Sequence, residues 1–296
     1  MRRLILIALP YLWLLALFLV PFLIVVKISL SDVALARPPY LPQVDFAAGW
    51  AGLKDFFSQL DFENFAFLAS DDLYWRAYLS SLKIALISTV LTLLVGYPIS
   101  YAMASAAPEW RPTLMMLVIL PFWTSFLIRV YSWMGILSQN GILNSFLLWT
   151  GLISEPLTIM NTEIAVYIGI VYTYLPFMIL PIYATLEKLD VSLIEAAEDL
   201  GCSRASAFWL VTIPLSRPGI IAGCFLVFIP ALGEFVIPSL LGGSGTLMIG
   251  KVLWEEFFNN RDWPVASAVA VVLLLILIIP IVLFQRNEQK NREAGK

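Results

Sequence analysis

Two charged residues stand isolated in apolar sequence. Arg129 lies in Pro121-Phe-Trp-Thr-Ser-Phe-Leu-Ile-Arg-Val-Tyr-Ser-Trp133, and Glu234 follows Val227-Phe-Ile-Pro-Ala-Leu-Gly233. An ionisable side chain kept from water is costly, and it usually faces a counter-charge or a polar path. Two arrangements fit these residues, and they are compatible if the pair opens. Arg129 and Glu234 can form an ion pair that neutralises itself and ties two helices together. Alternatively, Glu234 lines a path and replaces water around a cation. Such a cation would also use aromatic faces, at about 0.5–2 kcal/mol per contact. Trp123, Tyr131, Trp133, Tyr172 and Tyr174 are the candidates, although 14% of the chain is aromatic and most such rings serve packing. Pro230 and Gly233 weaken the helix beside Glu234 and suggest a hinge or gate there.

Other chemistry is poorly supplied. The chain has no histidine, which removes imidazole triads, proton relays and most zinc sites. Its two cysteines, Cys202 and Cys224, suggest neither a disulfide framework nor a metal site. Gly245-Thr-Leu-Met-Ile-Gly-Lys251-Val252 nearly matches a phosphate-binding loop. It ends in Val252, which has no hydroxyl for Mg²⁺, and no strand is expected before it. A membrane enzyme is therefore disfavoured, and no cofactor or metal is expected on this chain. The net charge of −3 is spread along the sequence and offers no basic stripe for nucleic acid.

The elements that must position these residues are membrane spans. Of 296 residues, 60% are hydrophobic and 13% charged, against about 25% charged in soluble proteins. A helix needs about 18 or more apolar residues to cross the hydrocarbon core. Six runs qualify, near 4–30, 79–104, 113–137, 162–186, 216–240 and 264–285. The expected fold is an all-α integral membrane protein with six transmembrane helices, many kinked at internal prolines. The first run exceeds 20 residues, too long for the apolar core of a cleaved signal, and reads as a retained span. Basic residues cluster at both ends, in Arg2, Arg3, Arg286, Lys290, Arg292 and Lys296, whereas residues 31–78 hold seven acids and three basic residues. Both termini are therefore expected to be cytoplasmic. The segments are 1–78, a first helix with a long outer loop; 79–285, a five-helix core with a cytoplasmic insert at 187–217; and 286–296, a tail. Gly141–Trp149 is too short to span and is expected along the outer interface.

The insert has its own pattern. Ser192 and Glu195 have capping-box spacing, and Leu193, Ala196, Ala197 and Leu200 share a helical face. Gly201 can stop that helix in the left-handed conformation, and Ser203 can cap a second one reaching about Ile213, before Pro214. An amphipathic loop between spans would show much of this. The spacing carries more: Glu195-Ala196-Ala197, Gly201, and Val211-Thr-Ile-Pro214 resemble the EAA loop of type I ABC importer permeases, with Val and Ile where Ile and Leu are usual. In that family the loop docks on a cytoplasmic ATPase, a role the resemblance assigns to Glu195, Ala196, Ala197, Gly201 and Pro214.

The resemblance extends along most of the chain. Pro121–Trp133, Asn140-Gly-Ile-Leu-Asn144, Gly233-Glu-Phe-Val-Ile-Pro238, Leu240-Leu-Gly-Gly243 and Phe257-Phe-Asn-Asn-Arg-Asp-Trp263 look like the polyamine branch, particularly putrescine permeases; the outer loop from Asp45 to Asp72 has no such motif. The family implies a bacterial inner-membrane location and a second permease subunit forming a heterodimer. It also implies two cytoplasmic ATPase subunits, which hold ATP and Mg, and a periplasmic polyamine-binding protein. An ABC permease for another solute, such as a metal chelate, an anion or thiamine, is the alternative. An ion-driven carrier is disfavoured because no inverted internal repeat is visible.

Overall fold

The protein, represented by a computed structural model, is described for residues 2–43 and 49–294. Lys296 of the expected tail and Asp45 of the outer loop lie outside the described residues, as do the side chains of Arg2, Arg3, Arg286, Lys290 and Arg292. The chain divides into two compact units, residues 1–78 with 249–296, and residues 79–248. The segment from 249 onward thus clusters with the first span and outer loop, whereas the sequence grouped it with the preceding helices.

In the first unit, α1 (Arg2–Leu14) passes through a π turn into α2 (Val20–Ser29). Strands β1 (Asp32–Val33) and β2 (Tyr40–Leu41) pair antiparallel, with Asp32 opposite Leu41. Helices α3 (Gly49–Ser58) and α4 (Glu63–Ser70) follow, so residues 49–70 of the outer loop are mainly helical. Asn64 clips α4 to the end of α2 by donating to Ser29 O at 3.1 Å and Ser31 O at 2.8 Å.

Helix α5 (Asp72–Ser105) begins in the first unit and continues into the second. It is followed by α6 (Arg111–Ile119), α7 (Phe126–Leu137), α8 (Ile142–Trp149) and α9 (Glu163–Leu186). Then come α10 (Val191–Asp199), α11 (Arg204–Ala207), α12 (Ile213–Leu232) and α13 (Val236–Leu240). The first unit resumes with α14 (Ile249–Trp254) and α15 (Trp263–Ala294), which packs on α2 and α4. Tyr78 donates to Val269 O at 2.8 Å within that unit.

Among the described residues, four helical stretches are long and apolar enough to cross a membrane: Ala8–Ser29, Asp72–Ser105, Glu163–Leu186 and Arg204–Leu232. The expected third span is not one straight helix. Arg111–Trp123 and Phe126–Trp149 are apolar together but bent by 90°. Pro121 interrupts the backbone bonding, and Thr124 turns extended while its hydroxyl satisfies Pro121 O at 2.7 Å. Counting the pair as one span gives five, and Trp263–Ile278 adds a shorter apolar helix where the sixth was expected. The expected fifth span, 216–240, also differs. Its helix stops at Leu232, and Gly233–Phe235 separate it from α13.

The core of the second unit is the pairing of α9 with α12, the most extensive helix contact among the described residues. Apolar side chains gain little by meeting one another in lipid, so close backbone packing by small residues must hold such helices together. Gly219 and Gly223 supply it. A methyl at Gly219 would lie 2.5 Å from Thr185 Oγ1 and 2.6 Å from Pro181 O; one at Gly223 would lie 2.8 Å from Met178 Sδ. Tyr97, Met178, Ile182, Leu186 and Val227 close around this contact, and Tyr97 and Ser216 share a 3.0 Å hydroxyl bond.

Gly219→Ala should therefore lower the unfolding midpoint of the purified protein, by overpacking worth about 1–3 kcal/mol. Gly135→Ala adds a methyl with no atom within 4 Å and should leave the midpoint unchanged or slightly raised. Equal midpoints for the two variants would remove the close-packing role.

Candidate functional site

Glu234 sits in the break between α12 and α13 and is only 8% exposed. One carboxylate oxygen accepts from the backbone of Val236 at 3.0 Å and Ile237 at 3.4 Å, satisfying free donors at the start of α13. The other accepts from Tyr174 Oη on α9 at 2.6 Å. A buried anion is thus kept in place by a helix terminus and a phenol. No cation is needed to hold it.

The expected Arg129–Glu234 ion pair is not formed. The two residues do not lie along straight spans: a 90° bend precedes α7, and the helix before Glu234 stops at Leu232. The ion pairs among the described residues are Arg76–Asp72, Lys83–Glu163, Arg111–Glu187 and Arg204–Glu198. Arg129 instead places its guanidinium carbon 5.2 Å from the Phe122 ring centroid and 6.0 Å from that of Phe126. Its Nε is buried without a hydrogen-bond partner.

The candidate aromatics separate. Tyr174 meets Glu234, and Trp133 packs edge-on against Tyr172 at 5.4 Å. Trp123 and Tyr131 are exposed, at 70% and 55%. Phe122 and Phe177 were not singled out from sequence, yet they meet edge-on at 5.2 Å, and Phe177 lies 6.1 Å from Tyr174. Phenylalanine in apolar sequence gives no local signal of such a role. Pro230 stays inside α12, so the discontinuity falls at Gly233–Phe235 and not at the proline. Beyond α13, Gly242–Thr246 and Asn161–Glu163 line an open polar pocket of about 580 Å³.

The polar insert forms a helix, a turn and a second helix, with two changes from expectation. Asp190, not Ser192, caps α10, accepting from Ser192 N at 3.0 Å, so the Ser192–Glu195 capping box is not made. That bond holds the Asp190 carboxyl below its usual range, and the cap stays ionised at neutral pH. Gly201 adopts φ +88°, with Cys202 N bonded to Ala197 O at 3.0 Å and Gly201 N to Glu198 O at 2.9 Å, a Schellman stop. Ser203 caps α11 through Ser206 N at 3.2 Å. The second helix does not end at Pro214. A π turn at Phe208–Thr212 joins α11 to α12, with Pro214 in the first turn of α12, where its missing N–H is accommodated. Glu195, Ala196 and Ala197 lie on α10 beside exposed Val191, Leu193 and Leu200.

Comparison with known proteins gives a consistent result. The family described as "Binding-protein-dependent transport system inner membrane component" matches residues 4–289. The chain is 47% identical, over 75% of its length and 78% of the relative's, to the spermidine/putrescine transport system permease protein PotB of Haemophilus influenzae. It is 46% identical to the protein of the same name from Escherichia coli K12, over 73% of this chain and 78% of that one. A solved bacterial ABC transporter that imports the acidic polysaccharide alginate shares the fold at a TM-score of 0.61 and 18% identity, over 96% of this chain and 95% of its own. The match across nearly the whole sequence, on a helical and strongly apolar chain, shows that the protein belongs to the binding-protein-dependent transport system inner membrane component family and is an inner-membrane permease of the type I ABC importer fold.

Proposed function

We propose that this chain is one permease subunit of an ATP-driven importer that moves a polyamine, putrescine first among them, from periplasm to cytoplasm. The observation that carries the cationic substrate is Glu234. It is a buried carboxylate at a helix break whose partners among the described residues are neutral donors, which leaves its charge to attract a diammonium ion. The names of the PotB relatives support the same substrate class. The proposed assembly pairs this subunit with a second permease as a heterodimer, two cytoplasmic ATPase subunits carrying ATP and Mg, and a periplasmic polyamine-binding protein. The alginate neighbour was solved with a substrate-bound periplasmic protein. Both termini are placed in the cytoplasm, as the basic ends argue, and α10 and α11 then face the ATPase. Co-purification with mass spectrometry, followed by reconstitution of the recovered complex, tests this reading. Labelled putrescine uptake should require ATP and should be suppressed by excess putrescine but not by anions. Accumulation without ATP by vesicles holding this chain alone would refute it.

In this assembly Gly201 determines how α10 is presented. Gly201→Val forces a β-branched residue into a left-handed backbone, costing about 1 kcal/mol or more, and turns α10 away. Uptake and substrate-stimulated ATPase activity should fall together while the subunits still co-purify. Retention of both activities would mean that α10 does not couple.

Glu234→Gln keeps the shape and one acceptor oxygen but removes the charge. Losing a charge-assisted contact of about 1.5–3 kcal/mol should lower uptake per assembled complex by about 10- to 100-fold. Tyr174→Phe leaves the carboxylate and its α13 contacts intact and should cost much less. Wild-type uptake in Glu234→Gln would limit the carboxylate to holding α13.

A further inference from the structure

Arg129 is held by rings and not by an anion. Its guanidinium lies over Phe122 and Phe126, and its Nε is shut away from any acceptor. A cation kept this way in an apolar segment is costly, and aromatic contact offsets only part of the cost. The rings beneath it continue elsewhere. Phe122 meets Phe177, Phe177 meets Tyr174, and Tyr174 donates to Glu234 at 2.6 Å. One aromatic strip therefore runs from an occupied cation seat to a buried carboxylate.

We propose that the Phe122–Phe126 seat is a binding site for an alkylammonium group, and that Arg129 fills it in this conformation as a tethered substitute for the substrate. The proposal rests on the cationic-substrate reading above and gives that substrate a second contact. The face of a phenylalanine ring attracts ammonium and guanidinium alike, because both respond to the ring quadrupole. The tether gives Arg129 a high local concentration, yet its Nε goes without an acceptor in the seat. A dication has what Arg129 lacks. One ammonium can take the seat, and the strip leads on from there toward Glu234, which offers a charge-assisted contact to an ammonium as the dication advances. A monoamine gains only one of these contacts and competes poorly with the tether. Arg129 thus serves as a plug that repels cations until a dication displaces it, and this makes it a determinant of selectivity.

The test uses the whole assembled transporter, without its binding protein, and labelled putrescine as the probe. Arg129→Met empties the seat, and putrescine should bind at least about fivefold more tightly than to the unsubstituted complex. Methylguanidinium should compete with putrescine in Arg129→Met much more strongly than in the unsubstituted complex, because the seat is vacant. Phe122→Leu keeps an apolar side chain and should raise the KM for putrescine by about fivefold in the complete system, with assembly unchanged. Equal affinity in Arg129→Met and the unsubstituted complex overturns the seat, as does an unchanged KM in Phe122→Leu. Should Arg129→Met fail to assemble, the Phe122→Leu result decides alone. Absence of putrescine uptake by the unsubstituted transporter defeats the polyamine reading and this proposal with it. Normal uptake that neither substitution alters defeats only the proposal.

Discussion

The close approach of α9 and α12 is the constraint from which the second unit is built. Gly219 and Gly223 bring α12 against the backbone of Pro181, Ile182 and Met178, at separations that a side chain would prevent. In lipid this contact must substitute for the hydrophobic drive that assembles a soluble core. Once it is made, Tyr174 on α9 and Glu234 just beyond α12 come within hydrogen-bond distance. The buried Glu234 carboxylate is positioned by helix packing rather than by a loop of its own.

The helix break beside Glu234 is possible because its polar groups find partners. Non-helical backbone at membrane depth is tolerated only where its donors and acceptors are satisfied. At Gly233–Phe235 the carboxylate takes the first donors of α13, and at Thr124 a hydroxyl takes the carbonyl left by Pro121. Both breaks have a proline nearby. Both also lie next to the charged residues of the candidate site, so the same irregularities that interrupt the spans place Glu234 and Arg129.

Much of this was legible in sequence, and the exceptions have physical causes. Residues 162–186 were expected as a span and form α9 at Glu163–Leu186, because a continuous apolar run has one way to satisfy its backbone in lipid. Gly201 was legible for a similar reason, since few other residues stop a helix at φ +88°. The Arg129–Glu234 pair was not, because sequence distance converts to position only along a straight helix, and two breaks intervene. The capping box failed because Asp190, two residues earlier than Ser192, competes for the same donor and is ionised. Gly219-Ile-Ile-Ala-Gly223 carried a readable small-residue spacing that was passed over, whereas the roles of Phe122 and Phe177 depend on a tertiary neighbour and left no trace in spacing.

The continuity of α11 with α12 alters how the polar insert relates to the carboxylate. A second helix ending at Pro214 would have left a joint between insert and span. Instead Arg204–Leu232 is one helical stretch of 29 residues, about 43 Å at 1.5 Å per residue, running from the Ser203 cap to the break that holds Glu234. Within that stretch lie the π turn at Phe208–Thr212 and two prolines inside α12, Pro218 and Pro230, each of which removes a backbone donor. At the far end the stretch terminates where Glu234 is shared between α13 and Tyr174. Helix α9 is packed against α12 through Gly219 and Gly223, and the helical bonding of this stretch ends at the break beyond Leu232. The helix packing and the hydrogen bonds of the carboxylate thus converge on the same end of the stretch.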